Sequence, residues 1–473
     1  MPLSMLSAEN EVAYIVTYVV IVAAIALLIA AGVRGVLRRK YRFTAPHKHM
    51  SAGRFIALGF AGVIFFGSLL LYLPITHRPG ASVSYIEALF TSTSAVCVTG
   101  LTAFDTYDTY NFLGQLVIII LIQIGGLGIA SVGVGIIAIS GRRANIRDRY
   151  LVKEALNYDS FSGIIGLLRW VLMATLLFES VGAVLSIISF SRDYDFWRAV
   201  WMGIFHSISS FNNAGFDIVG GGAGLAPYAD DVYMNVITAL LIIFGGLGFY
   251  AMQEIVTKRS FKRLSLNTKV AVSTTIALIV GGTLLLRLTN DVSWLGAFFT
   301  SVSARTAGFQ TVILGGFTSA GLLVVTILMF IGTSPGSTGG GVKTTTFFVL
   351  IRSITSIITN RDIGAFKRKF SNKTVFKAFL IFVTAMMVCV ISTLILCITE
   401  PELEFMQILF EVVSAFSTCG LSTGVTASIT PIGKLVLVST MFIGRIGPLT
   451  AVTLLAVSPP PSVSRPEESI SIG

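Results

Sequence analysis

The sequence predicts an all-α integral membrane protein: four parallel helix, pore-loop, helix repeats around a pseudo-fourfold pore, with one extra N-terminal transmembrane helix. Three observations predict it. The 473 residues are 54% hydrophobic and only 12% charged, which is more apolar surface than one soluble core can bury. Uncharged runs reach the ~20 residues that a spanning helix needs, among them Val12 to Val33, Phe55 to Ile75, Phe112 to Ser140 and Ala378 to Ile398. Between basic clusters the same order recurs four times: an apolar span, a short amphipathic stretch, a glycine-centred polar loop and a second apolar span.

The net charge of +11 sets orientation. Lys and Arg fall in short clusters between apolar runs: Arg34 to Arg42, Arg142 to Lys153, Lys258 to Arg263 and Lys367 to Lys377. That placement is not the continuous basic face of a nucleic-acid binder. By the positive-inside rule all four clusters face the cytoplasm, and membrane lipid is the surrounding partner. The resulting division is 1–50 for the extra helix and its basic linker, 51–150, 151–263, 264–366 and 367–457 for the repeats, and 458–473 for a Pro- and Ser-rich cytoplasmic tail. Met1 to Glu11 has acids and no basic segment, so Val12 to Val33 reads as a retained anchor with the N-terminus outside.

The loops are SAVCVTGLTAFD, SSFNNAGFDIV, SVSARTAGFQTV and SAFSTCGLSTGV, centred on Gly100, Gly215, Gly308 and Gly420 at intervals of 115, 93 and 112 residues. The stretches before them, Tyr85 to Val96, Trp197 to Ser210, Trp294 to Ser303 and Phe405 to Ser414, are too short to cross a bilayer and suit re-entrant half-helices. A second landmark follows each loop in IQIGGLG, IIFGGLG, MFIGTSPG and MFIGRIGP, whose first glycines lie 25, 30, 24 and 24 residues beyond the loop glycine. Two landmarks in register indicate duplication. Because every loop opens from the outer side, the repeats run in one sense and form a ring, unlike the inverted repeats of many secondary transporters.

Irregular backbone at membrane depth is tolerated only where it lines a cavity, and glycine supplies the positive-φ conformations such a strand needs. No acid lies in Val98 to Gly100, Asn213 to Gly215, Thr306 to Gly308 or Thr418 to Gly420, so coordination there falls to backbone carbonyls. Carbonyls with little fixed charge suit a large monovalent cation, potassium above all, better than a divalent one. Half-helix C-termini aimed at the ion would add up to ~1 kcal/mol each. Arg305 beside the third loop either turns away to brace the loop or snorkels to the outer interface.

The third repeat's second span breaks at GTSPGSTGGG. Its five glycines and Pro335 cannot stay helical at ~1 and ~3 kcal/mol per interior position. A flexible plug at mid-membrane is expected, because Leu323 to Ile331 is too short to reach the far side at ~1.5 Å per residue and leave a cytoplasmic linker. Arg445 stands alone inside the fourth repeat's second span, an intramembrane charge costing at least ~2.5 kcal/mol at a helix centre and therefore a functional candidate. Arg169 and Glu179 read as near-interface or packing residues.

With CVTGL, NNAGF, RTAGF and STCGL in order, the chain resembles the four-repeat Trk/Ktr/HKT potassium transporters, most closely the Ktr-type pore subunits, from Arg54 to Val457. The resemblance implies a potassium selectivity filter at Val98, Thr99, Gly100, Asn213, Ala214, Gly215, Thr306, Ala307, Gly308, Thr418, Cys419 and Gly420. It also implies an intramembrane gate at Gly332, Thr333, Ser334, Pro335, Gly336, Ser337, Thr338, Gly339, Gly340, Gly341 and Lys343, with Arg445 as an electrostatic barrier beside it. Two partners follow from the resemblance alone: a second copy in a homodimer and a cytoplasmic nucleotide-binding regulatory ring (KtrA/TrkA-like).

Other chemistries find little support. Cys97, Cys389, Cys397 and Cys419 lack zinc or disulfide spacing. His47, His49, His77 and His206 are not clustered with carboxylates, so no catalytic constellation is expected. Val342 separates Gly341 from Lys343 and spoils a Walker A match, while Gly133, Gly135 and Ala138 lie within a span and have no preceding strand. The expected function is the pore subunit of a potassium uptake system with no cofactor beyond the transported K+, its sodium dependence left open. A cation symporter with a midplane site is the alternative, and a membrane-embedded enzyme ranks third.

Overall fold

The structure, a computed structural model, describes residues 52–139, 146–155, 163–222 and 224–455. The expected helix Val12 to Val33, the basic cluster after it and the tail 458–473 lie outside the described residues. The description concerns the compact unit Ala52–Gly473.

Among the described residues, four helices are long and apolar enough to cross a membrane, and each stands at the start of an expected repeat: α1 (Ala52–Tyr72), α6 (Ile164–Phe190), α10 (Leu266–Thr289) and α14 (Asn372–Thr399). The expected half-helices follow them as α2 (Tyr85–Cys97), α7 (Phe196–Phe211), α11 (Trp294–Ser303) and α15 (Phe405–Ser417). Side chains that start these short helices fit their termini. Ser84 and Glu87 form a reciprocal capping box on α2, and Ser293 accepts from Gly296 N–H at the start of α11. Exposure runs inside out. Leu58, Phe65, Phe66, Leu176, Leu177, Ile276 and Val390 on the long helices are exposed, whereas Ala88 to Cys97 of α2 is almost wholly enclosed. That is the pattern expected when lipid is the outer solvent and the half-helices form the core.

The second spans are α3 and α4 (Phe112–Leu127, Ile129–Ile139), α8 and α9 (Val232–Leu247, Phe249–Lys258), α12 and α13 (Ser319–Phe330, Thr344–Thr359), and α16 and α17 (Pro431–Ile446, Pro448–Leu455), with α5 (Ile146–Ala155) between the first two repeats. A correction follows. The sequence reading set the third repeat apart because its second span breaks, yet the other three break as well, each two residues past its landmark glycine, at Leu127, Leu247 and Ile446, whereas the third ends at Phe330. Gly128, Gly248 and Gly447 adopt φ of +80°, +94° and +89°, a conformation that ends a right-handed helix and that glycine tolerates without a Cβ clash. At Gly248 the two halves bend by 99°. The third repeat is distinct in inserting a whole loop at this hinge.

One packing device recurs in three repeats. Ser92 Oγ donates to Ile64 O at 2.7 Å, Ser207 Oγ to Glu179 O at 2.7 Å and Ser301 Oγ to Ile279 O at 3.0 Å. Three residues after each accepting carbonyl stands Gly67, Gly182 or Gly282. A Cβ built on Gly67 would lie 2.5 Å from Ser92 Oγ and 2.7 Å from Leu121, and Gly182 and Gly282 meet Ser207 with Leu241 and Ser301 with Leu328 in the same way. Small residues let first span, half-helix and second span approach, as in other membrane bundles. The fourth repeat has another device, a 2.9 Å bond between Ser392 Oγ and Thr440 Oγ1.

The helical class also needs one small amendment. Gly364–Ala365 (β1) and Arg368–Lys369 (β2) pair antiparallel, with Phe366 and Lys367 at φ +50° and +62° in a tight turn between them. The expected repeat boundary at 366/367 falls on this turn.

Candidate ion pathway

The four glycine loops begin where the half-helices end, and they share one unusual backbone. Val98, Asn213, Thr306 and Thr418 have φ of +59°, +59°, +63° and +52°, and two residues later Gly100, Gly215, Gly308 and Gly420 have +93°, +68°, +81° and +94°. Left-handed φ is costly for β-branched residues such as Val98, Thr306 and Thr418. Its recurrence at four equivalent places means that the surrounding contacts impose it.

Those contacts come partly from residues the sequence reading missed. A serine stands on each half-helix shortly before the glycine: Ser94, Ser209, Ser303 and Ser414. Its carbonyl accepts the N–H of the residue before the glycine, from Thr99 at 2.7 Å, Ala214 at 2.8 Å, Ala307 at 2.9 Å and Cys419 at 2.9 Å. The hydroxyls divide the loops into two pairs. Ser94 and Ser414 accept from Gly100 N–H and Gly420 N–H at 3.0 and 3.1 Å. Ser209 and Ser303 instead donate to Phe216 O and Phe309 O at 2.7 and 2.5 Å. The available signal was the serine recurring at six, six, five and six residues before the glycine.

The loops meet one another in cyclic order. A Cβ built on Gly100 would lie 2.5 Å from Ala214 O and 3.1 Å from Gly215 Cα; on Gly215, 2.6 Å from Ala307 O and 2.9 Å from Gly308 Cα. On Gly308 it would lie 2.5 Å from Cys419 O and 3.2 Å from Gly420 Cα, and on Gly420 it would run into Thr99 O and lie 3.0 Å from Gly100 Cα. The middle carbonyls Thr99, Ala214, Ala307 and Cys419 therefore stand beside the preceding loop's glycine: second on first, third on second, fourth on third and first on fourth. No other residue type fits these four positions. The second landmark glycines have a related cause, since Gly125, Gly245 and Gly444 face Val96 O, Phe211 O and Phe416 O at half-helix ends, where any Cβ would collide.

Gly332 to Lys343 packs against the other end of this ring. None of these residues is exposed. Gly332 N–H donates to Val342 O at 2.9 Å and Val342 N–H to Phe330 O at 3.2 Å, closing the loop at its base. Ser334 and Thr338 donate N–H to Gly246 O and Gly245 O at 3.0 and 3.3 Å, and Phe249 N–H returns a bond to Gly336 O at 2.9 Å. Ser337 Oγ donates to Thr333 Oγ1 at 2.8 Å. Pro335 O faces the hinge glycine Gly248. A Cβ on Gly339 or Gly340 would strike Thr306 Oγ1 or Thr418 Oγ1, so Gly339 and Gly340 lie directly under the glycine loops, and Gly341 continues at φ +69°.

Arg445 clamps the insertion. Its guanidinium donates to Thr338 O and Gly125 O, and to Gly126 O at 3.5 Å, which ties the third repeat's loop to the first repeat's hinge. Lys343 Nζ donates to Gly339 O at 2.6 Å within the same loop. Arg305 is enclosed at 4% exposure and donates to Thr275 O on α10 at 3.4 Å, so it braces from behind and does not reach an interface. Of the two roles expected of Glu179, near-interface or packing, its burial fits packing, with polar partners added. It is 7% exposed and accepts from Asn212 Nδ2 at 2.9 Å and Gln123 Nε2 at 3.3 Å, fixing the residue that leads into the second loop.

Close-set backbone carbonyls inside a helical membrane unit can replace the hydration shell of a cation, and the chain is similar to known cation transport proteins. The family model of the TrkH cation transport proteins matches residues 20–465. The potassium/sodium uptake protein NtpJ of Enterococcus hirae is 38% identical over 444 residues, covering 90% of this chain and 98% of that protein. Ktr system potassium uptake protein B of Bacillus subtilis is 35% identical over 447 residues, with 91% and 97% covered. The crystal structure of the potassium transporter TrkH from Vibrio parahaemolyticus shares the fold at a TM-score of 0.69 and 20% identity, covering 91% of this chain and 90% of that one. The chain belongs to the TrkH family of cation transport proteins and is a multi-pass membrane protein.

Proposed function

We propose that this chain is the pore-forming subunit of a potassium uptake system, with four repeats about a pseudo-fourfold axis. In this reading K+ enters through the carbonyls of Val98 to Gly100, Asn213 to Gly215, Thr306 to Gly308 and Thr418 to Gly420. The observation that carries it is the cyclic approach of the middle carbonyls to the neighbouring glycines. Carbonyl dipoles replace hydration water around an ion that would otherwise be stranded in a low dielectric. Gly332 to Lys343, held under the ring by Arg445, is the gate. Its packing supports a closed state: Gly339 and Gly340 lie against Thr306 and Thr418 of the glycine loops, and the Arg445 guanidinium is bonded to Thr338 O.

The N-terminus is placed outside and the C-terminus in the cytoplasm, following the basic clusters. The Ktr relatives are named as parts of a system, which supports a regulatory partner, here a cytoplasmic nucleotide-binding ring, together with a second copy of the chain. One relative is named for both potassium and sodium, which supports Na+-assisted uptake as a second mode beside uptake of K+ alone. A host lacking its own potassium uptake tests the reading: the chain should restore potassium-limited growth and Rb+ uptake, and Gly308→Asp should abolish both. No uptake in any ionic condition would refute it.

A further inference from the structure

Each half-helix carries one more equivalent position, three residues before its loop-holding serine: Thr91, His206, Thr300 and Glu411. Only the fourth repeat puts an acid there. Glu411 is wholly enclosed at 0% exposure, and it is turned toward the stretch that leaves the filter. It accepts from Ser422 Oγ and, at 3.2 Å, from Thr423 N–H on one oxygen, and from Thr426 Oγ1 at 2.9 Å on the other. Burying a carboxylate is costly unless donors surround it, and here three donors from one five-residue turn do so.

That turn begins two residues after Gly420 and is shared with its neighbours. Ser422 Oγ also accepts from Gly424 N–H at 2.9 Å. Ser422 O accepts from Gln310 Nε2 at 2.9 Å, and Gln310 O accepts from Leu225 N–H at 2.9 Å. Gln310 follows Gly308 by two residues, and Leu225 belongs to the segment that leaves the second loop. A continuous chain of bonds therefore runs along the outer rim from the second loop through the third to the fourth and ends on Glu411.

We propose that Glu411 is a positioning residue for the outer end of the filter: its carboxylate fixes the Ser422 to Thr426 turn and, through Gln310, sets the width of the ring at the third and fourth loops, and with it the preference among monovalent cations. The inference rests on the potassium-pore reading. Glu411 does not touch the ion; it acts through the carbonyls of Cys419 and Gly420, whose strand the turn anchors. Glutamine keeps the length and one acceptor oxygen, whereas alanine removes both acceptors, leaving Thr423 N–H without this partner and the Ser422 and Thr426 hydroxyls only each other, 2.9 Å apart.

Rb+ uptake by cells producing the full-length chain provides the test, with KM, maximal rate and the Na+ concentration that halves uptake measured at matched protein levels. Glu411→Ala should raise the KM for Rb+ about tenfold and lower the inhibitory Na+ concentration by a similar factor, with little change in maximal rate. Glu411→Gln should recover most of both. Thr426→Val, which removes one donor from the other side of the bond, should shift both in the same direction by a smaller factor, and it decides the matter if the alanine variant does not accumulate. Wild-type KM and Na+ competition in Glu411→Ala, or in Thr426→Val when only that variant accumulates, would overturn the role. Absence of uptake by the unaltered chain would be distinct from either result, since it removes the pore reading and this role with it.

Discussion

At the scale of the residue, glycine and serine set the geometry of the ring. Gly308 combines a φ of +81° with a neighbouring carbonyl 2.5 Å from where a Cβ would sit, so even the smallest substitution both strains the backbone and pushes two loops apart. Gly308→Ala is expected to lower Rb+ uptake by at least about tenfold while the protein still reaches the membrane, because the cost falls on the loop and not on the spans. Wild-type uptake by that variant would contradict the tight ring. Serine makes a finer distinction. Ser414→Ala strands Gly420 N–H, at a cost of about 1–3 kcal/mol for a buried donor left unmet. In Ser303→Ala it is Phe309 O that loses its donor, and an unmet carbonyl is better tolerated. Na+ competition against Rb+ uptake should therefore change more in Ser414→Ala than in Ser303→Ala, and the opposite order would show that the two hydroxyl roles are misassigned.

At the scale of the element, four short helices and four hinged spans were legible to different degrees. The half-helices could be read because each is bounded by polar residues and too short to cross, and Trp294–Ser303 has the limits the sequence suggests. The hinges were not legible as hinges. In IQIGGLG and IIFGGLG the residues around Gly128 and Gly248 are as apolar as the rest of the span, and only backbone dihedrals tell a glycine that bends from one that merely makes room. The insertion at Gly332 to Lys343 stood out in sequence because it adds Pro335 and polar residues, whereas its anchoring by Arg445 joins residues 107 apart and carries no local signal. Two expectations follow for this element. Replacing Gly336 to Gly340 with a shorter linker should raise ion flux, since less backbone then lies under the ring, and an unchanged current would count against a gate. Arg445→Ala removes the donors to Thr338 O and Gly125 O, so it should also raise flux; reduced uptake at normal protein level would instead make the arginine part of the conducting path.

At the scale of the whole molecule, duplication is what let most of the fold be read. Landmarks recurring in register, with basic clusters between them, set the expectation of four same-sense repeats without any knowledge of tertiary contacts. What differs between repeats was far less legible. The acid at Glu411, the buried Glu179 and the bracing Arg305 occupy positions where the other units carry other residues, and their roles depend on partners more than ten residues away or on another repeat. On the proposed reading, likeness at the glycines serves ion selection and the differences behind them serve control. The central claim is that ions cross down their electrochemical gradient through this ring, driven by about 2.3 kcal/mol per 100 mV for each unit charge. The most direct measurement is Rb+ uptake into liposomes holding the purified chain, with an inside-negative potential and with sodium and pH equal on both sides. Potential-driven uptake that Gly308→Asp abolishes is the expected result, and uptake that appears only when a sodium or proton gradient is imposed would contradict a pore and favour a symporter.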